Sequence, residues 1–178
     1  MNALVAFARF AAKRDLRWFV FGAVAVNLHG FPRTTADVDI TLDLGDLDVE
    51  KLVVGLRSGG FIPRFSDKQF IQDTRVLPVV HNSSKIPMDL VFAGPGLEQI
   101  FFEELVECMV AGIRIPVISP EHLIVTKILA ARPRDLEDVR ELLAMRAVDI
   151  RKIEELLAML EEALSQSDLI TTFRRLKL

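Results

Sequence analysis

The chain has 178 residues, 51% of them hydrophobic, and its 22 basic and 25 acidic residues leave a net charge of −3. That length suits one domain with a helical appendage, and that hydrophobic share suits a buried core, which excludes a disordered or fibrous chain. The mild acidity excludes bulk attraction to nucleic acid while leaving room for a local basic track.

Residues 3–14 read as a helix with Leu4, Phe7, Ala8 and Ala11 on one face. Residues 18–21 read as a short buried strand ended by Gly22, and residues 23–29 as a short helix closed by Gly30. The apolar stretch 18–26 falls well short of the roughly 20 residues a membrane-spanning helix needs. Arg9, Lys13 and Arg14 interrupt the N-terminal apolar run, so neither a membrane span nor a signal peptide is expected, and the protein is placed in the cytoplasm.

From residue 35 to 43 the pattern alternates, with Asp37, Asp39, Thr41 and Asp43 on one side and Val38, Ile40 and Leu42 on the other. This is the period of a half-buried strand. A helix over 48–59 follows, carrying Leu52, Val53 and Leu56. Residues 61–82 contain strand-like pieces that lead into the turn-like Asn82-Ser83-Ser84, and residues 85–92 return as the second arm of a hairpin.

Residues 97–108 form a mixed helix candidate. Cys108 is the single cysteine and cannot make an internal disulfide; with Val106, Met109 and Val110 beside it, it is expected to be a buried structural thiol. Residues 113–118 read as a short strand, Ser119 and Pro120 as the N-cap and first position of a helix, and Pro133 as a division in the helical remainder. Ile153, Leu156, Leu157, Leu160 and Leu164 stripe the last long helix. The order predicts an α/β (α+β) fold: a mixed sheet flanked by helices over 1–118, then a helical region over 119–178 packed on that core.

Two carboxylates two residues apart on a strand project to one side, about 6–7 Å apart. Asp37 and Asp39 so placed suit one or two hard cations, Mg²⁺ or Mn²⁺, of the kind held by a few carboxylates plus substrate phosphates. Gly22, at a strand-to-helix turn, leaves room for phosphate to approach backbone N–H groups. An Asp-x-Asp alone is a weak signal, because acidic pairs on exposed strand faces are common. A calcium loop starting at Asp37 is excluded, since it requires glycine where Leu42 stands.

Asp89 interrupts an apolar strand, where a charge is costly unless it is paired, exposed or coordinated. Its plain alternative is the solvent face of a half-buried strand. Lys127, among Leu123, Ile124 and Ile128, reads by itself as the solvated edge of a helix. Asp135 reads as a helix-start acid favoured by the macrodipole, and Asp138 as an exposed helix charge. His29, His81 and His122 lack zinc-ligand spacing, and no P-loop, dinucleotide fingerprint or nucleophile elbow is present.

Strand, Gly-small, short helix, Asp-x-Asp and a later strand aspartate together resemble the DNA polymerase β-like nucleotidyltransferase superfamily. The string from Gly22-Ala23 to Arg33-Thr34-Thr35-Ala36-Asp37-Val38-Asp39 is similar to its small prokaryotic branch, which includes the AbiEii-type toxins. The helix segments around Lys127 and Arg134-Asp135-Leu136-Glu137-Asp138 resemble the same branch, so the likeness runs from about residue 19 to 143. It implies a nucleotidyltransferase-type sheet, an NTP substrate and a bound divalent metal. Gly22 and Ala23 would line the triphosphate, with Thr35 in the same nucleotide-binding set. Asp37, Asp39 and Asp89 would bind metal, and Arg33 and Lys127 would face phosphate. Asp135 and Asp138 would support the Lys127 region. The family usually has Gly-Gly or Gly-Ser where this chain has Gly22-Ala23, which removes a hydroxyl near phosphate.

Three functions compete at this point. The first is transfer of a nucleoside monophosphate from a Mg-NTP to an acceptor hydroxyl on RNA, protein or a small molecule, with an antitoxin partner if the chain is AbiEii-like. The second is a nucleotide-binding module with little turnover that acts through a protein partner. The third, purely structural, makes the C-terminal helices an oligomer surface, a homodimer being the simplest case. Arg132, Arg134, Arg140, Arg146 and the tail Arg174-Arg175-Leu176-Lys177 offer contacts to RNA, with ordinary solvated helix charge as the plainer account.

Overall fold

The computed structural model describes residues 2–65, 67–145 and 148–177; Arg146 lies outside the described residues. The chain divides into two compact units, residues 1–25 with 33–118 and residues 26–32 with 119–178.

The first unit is built on a seven-stranded mixed sheet. Its strands are β1 (Arg17–Phe21), β2 (Val38–Asp43), β3 (Phe61–Pro63), β4 (Val76–His81), β5 (Pro87–Phe92), β6 (Leu105–Val110) and β7 (Ile113–Ile118), in the order β3-β4-β5-β2-β1-β7-β6. β2 runs antiparallel to β1 and parallel to β5, β4 and β5 form the expected antiparallel pair, and β1 runs parallel to β7. One face of the sheet carries Ile40, Leu42, Leu77, Met88 and Leu90, all fully buried. Helix α1 (Asn2–Ala12) contributes Leu4, Phe7 and Ala11 to the core. Phe7 meets Trp18 at 5.1 Å and Phe61 at 5.7 Å between ring centroids, both edge-on, the geometry aromatic pairs prefer. Helix α3 (Val49–Ser58) starts at Asp48, whose carboxylate accepts from the N–H groups of Glu50 and Lys51, and it buries Leu52 and Leu56.

Several segments differ from the sequence reading. Within 61–82 a helix α4 (Lys68–Thr74) separates β3 from β4; Asp67 caps it by accepting from Gln69 and Phe70 N–H. The mixed segment 97–108 splits into α5 (Leu97–Glu103) and strand β6, because residues 105–110 find their hydrogen-bond partners along β7. Cys108 therefore lies on a sheet edge and is half-exposed rather than buried, with Met109 64% and Val106 38% exposed beside it. Thr41 is buried despite its place in the polar alternation. It pairs with Phe19, and Phe19 packs edge-on against Phe102 of α5 at 4.8 Å, so this end of the polar face is roofed.

The chain leaves the first unit within α2 (Gly22–Leu28). The second unit holds α6 (Pro120–Ala130), α7 (Pro133–Leu143), α8 (Ile150–Leu164) and α9 (Leu169–Leu176). Ser119 caps α6 through His122 N–H, as its place before Pro120 predicts. The α8 stripe buries Ile153, Leu156 and Leu157 but leaves Leu164 47% exposed, and α9 adds Leu169 and Phe173 to the same core. Among the described residues no helix is long and apolar enough to cross a membrane.

Candidate active site

The site grows from the sheet register. β1 ends at Phe21, and Gly22 turns the chain into α2 with φ +65°, a left-handed conformation that costs most residues and suits glycine. Antiparallel pairing sets Asp39 opposite Phe21, and parallel pairing sets Asp89 opposite Asp39. Directly paired residues on neighbouring strands project to the same face, about 5 Å apart. Asp37 precedes β2 by one residue and keeps that side. Asp37, Asp39 and Asp89 each offer a carboxylate oxygen, all within 4.8 Å of one another, and all three residues are half-buried.

Neighbouring groups orient this cluster. The Thr35 hydroxyl donates to Asp37 Oδ1 at 2.8 Å. Asp39 packs against Gly22 so closely that a Cβ there would meet Asp39 Oδ2 at 2.0 Å. Burial holds the Asp89 carboxyl above the ordinary carboxylate value, the charge of Asp37 pushes it further, and Arg64 offsets part of the rise. Three converging carboxylates repel one another, and an all-oxygen donor set of this kind fits a hard divalent cation.

Arg33 and Thr35 lie on the segment that delivers Asp37, and both are half-buried; Ala23 sits in the first turn of α2 and is buried. Lys127, Asp135 and Asp138 form a second group, within the helical unit. The Lys127 ammonium donates to Asp138 Oδ2 at 2.6 Å and to Asp135 Oδ1 at 3.1 Å. The Lys127 and Asp138 side chains are only 5% and 4% exposed, so neither is the solvated helix charge that its local sequence suggests. Arg64 was absent from the sequence reading. It follows β3, and its N–H donates to the carbonyl of Pro78, the residue paired with Asp89. No local signal marks it, because its place depends on the register of β3, β4 and β5 together.

The sheet and its flanking helices have the nucleotidyltransferase fold. The fold is similar to that of ANT(2")-Ia, solved in complex with adenylyl-2"-tobramycin, with a TM-score of 0.64 at 16% identity over 92% of this chain and 97% of that one. It is also similar to an antigenic nucleotidyltransferase-like protein from Paracoccidioides brasiliensis, with a TM-score of 0.61 at 15% identity over 97% of this chain and 91% of that one. A third similar structure is the lincosamide antibiotic adenylyltransferase LnuA with lincomycin bound, TM-score 0.56 at 16% identity over 80% and 96%. No curated protein matches the sequence. Over residues 3–177 the chain belongs to the family described as "Nucleotidyltransferase of unknown function (DUF6036)".

Proposed function

We propose that the protein transfers a nucleoside monophosphate from a metal-bound NTP to an acceptor hydroxyl. The observation that carries this reading is the convergence of Asp37, Asp39 and Asp89 within 4.8 Å beside Gly22. These three carboxylates would hold Mg²⁺ or Mn²⁺, which supplies charge neutralisation to the triphosphate and the leaving pyrophosphate. Gly22, Ala23 and Arg33 line the nucleotide's phosphates in this reading, and Thr35 keeps Asp37 turned toward them. The acceptor oxygen attacks the α-phosphorus in line, its bond to phosphorus forms as the bond to the β-phosphate breaks, and pyrophosphate leaves with the electron pair. Asp89, on the strand beside Asp39, takes the hydroxyl proton. Lys127, clamped by Asp135 and Asp138, holds its own helical unit together.

The test is incubation of the wild type and an Asp37→Ala, Asp39→Ala double variant with each α-labelled NTP, Mg²⁺ and fractionated cell extract. Label entering an RNA, protein or small-molecule fraction with the wild type alone supports the proposal and identifies the acceptor. Folded wild type that neither moves label nor binds Mg-NTP sinks it. The motif likeness to AbiEii-type toxins supports a further reading, a cytoplasmic toxin restrained by an antitoxin partner. Growth arrest on expression that the double variant does not cause is its expected sign.

A further inference from the structure

The side of the sheet turned away from the carboxylates carries a hollow of the opposite charge. Phe19 and Phe21 of β1 share the face of Asp39, so Trp18 and Val20 point the other way. Phe7 of α1 packs on Trp18, which puts α1 on that second face. Where the end of α1 lies beside the end of α3, a hollow of about 330 Å³ is lined by Arg9, Lys13 and Arg14 together with Phe10, Ser58 and Gly59. Glycines let the two segments approach. A Cβ on Gly59 would lie 2.6 Å from the Phe10 ring, and one on Gly55 would lie 3.1 Å from Arg14 Nε. Arg14 is held in place without an acid: its guanidinium carbon is 4.2 Å from the Phe10 ring centroid, and its Nη2 donates to the Ser58 hydroxyl at 3.4 Å. Among the described residues the Arg9 and Lys13 side chains make no hydrogen bond or ion pair.

The charge around the hollow has one sign. No acidic residue occurs in residues 2–14, 51–66 or 75–88. The third of these segments adjoins the rim, because Asn82 N–H donates to the Gly60 carbonyl at 2.9 Å, and it brings Lys85 with it. Asp15 lines the hollows on the other sides of Arg9 and Arg14 but not this one. The macrodipole favours a cation in the last turn of α1, which accounts for Arg9. It does not account for three cations and a hydroxyl around one concavity without a carboxylate. We propose that this hollow binds a compact oligophosphate, two or three directly linked phosphate groups, without a metal ion. Cations gathered in one concavity match a ligand whose charges sit on adjacent groups, and two of them are guanidiniums, which take phosphate oxygens in pairs. A polynucleotide spreads its phosphates along a strand and needs cations in a track, whereas Asp15 breaks the basic run past Arg14. The two faces of the sheet thus treat phosphate by opposite rules: the carboxylate cluster repels an anion unless a cation intervenes, and the basic hollow takes the anion bare.

The probe is tripolyphosphate, titrated calorimetrically into the full chain at low salt with EDTA. Orthophosphate and a short oligoribonucleotide without terminal phosphates are titrated for comparison. The wild type should bind tripolyphosphate roughly tenfold or more tightly than either. The combined Arg9→Gln, Lys13→Gln, Arg14→Gln variant should lose at least about tenfold in affinity. A control with Arg132→Gln, Arg134→Gln and Arg140→Gln removes the same charge from the helical unit and should stay within about twofold of the wild type. All six side chains are exposed, so both variants fold, which melting curves verify. The Asp37→Ala, Asp39→Ala protein should bind tripolyphosphate in EDTA as the wild type does, and excess Mg²⁺ should weaken that binding by taking up the ligand. No binding in EDTA, affinity that survives the first triple substitution or falls equally in the control, loss in the Asp37→Ala, Asp39→Ala protein, or tighter binding of the oligoribonucleotide overturns the proposal. Mg-NTP binding by the wild type reports the carboxylate site separately, so failure at one site is distinguished from failure at the other.

Discussion

The carboxylate of Asp39 occupies the space in which a side chain on Gly22 would begin, for a Cβ there would lie 2.0 Å from Asp39 Oδ2. Gly22 also has φ +65°, where an L side chain costs about 1–3 kcal/mol. Strand end, left-handed turn and the Asp39 carboxylate are thus one construction, and glycine alone satisfies both demands. Gly22→Ala should displace Asp39, lower Mg-NTP affinity at least about tenfold and reduce transfer further, while the helical unit keeps its own core. Calorimetric titration of Mg-NTP, with circular dichroism to verify folding, checks this.

The acidic cluster makes a stability prediction with a definite sign. Burial first, and the Asp37 charge second, raise the Asp89 value above 3.8. Below the unfolded-state value both states are protonated and no penalty exists; the penalty grows as pH rises through the folded-state value. Metal-free protein should therefore lose stability through that window, and Asp89→Asn should remove the loss. At neutral pH without metal the variant should melt above the wild type, and Mg²⁺ should raise the wild-type Tm more. Melting curves from about pH 4 to about pH 8, with and without Mg²⁺, decide the matter. An Asp89→Asn protein that melts below the metal-free wild type at neutral pH would contradict the crowding of charge described here.

The Thr35 hydroxyl, 2.8 Å from Asp37 Oδ1, predicts a change in metal affinity with little change in fold. Thr35→Val keeps the shape and deletes the donor. Second-layer hydrogen bonds to metal ligands are worth roughly ten- to a hundredfold in affinity or activity. A loss in that range for Mg²⁺-dependent transfer is expected, partly offset by raised Mg²⁺. Thr35→Ser, which restores the hydroxyl, should recover most of it.

Lys127 predicts the opposite pattern, in which stability changes first. Its ammonium bridges Asp135 on the first turn of α7 and the buried Asp138 one turn later. Lys127→Met leaves two carboxylates without their cation, and breaking a buried pair in this way costs about 3–5 kcal/mol. For a chain of this size that corresponds to a Tm drop of roughly 10 °C. The triple variant with Asp135→Asn and Asp138→Asn should regain much of the loss, since neutral amides do not repel. A Lys127→Met protein with unchanged Tm would show that the triad carries little of the helical unit's stability.

The parts of this molecule that the sequence alone determined are those written in local periods and caps. The alternation around Val38, Ile40 and Leu42 marks a half-buried strand because side-chain direction repeats every second residue. Gly22 and Ser119-Pro120 mark a turn and a helix start for equally local reasons, and the paired Asp37 and Asp39 are legible with the strand that carries them. Tertiary structure decided the rest. Asp89 reaches the pair only because β5 runs parallel beside β2 in a register no short-range pattern specifies. Helix α4 escaped detection because seven residues give too little period to outweigh the β-prone strands on either side. Lys127 reads as a surface charge until α7 folds Asp135 and Asp138 against it, and Arg64 reads as nothing until three strands align it with Asp89. Local sequence sets which way a side chain points along its own element; only the pairing of distant elements, driven by burial of the apolar face, sets which side chain it meets.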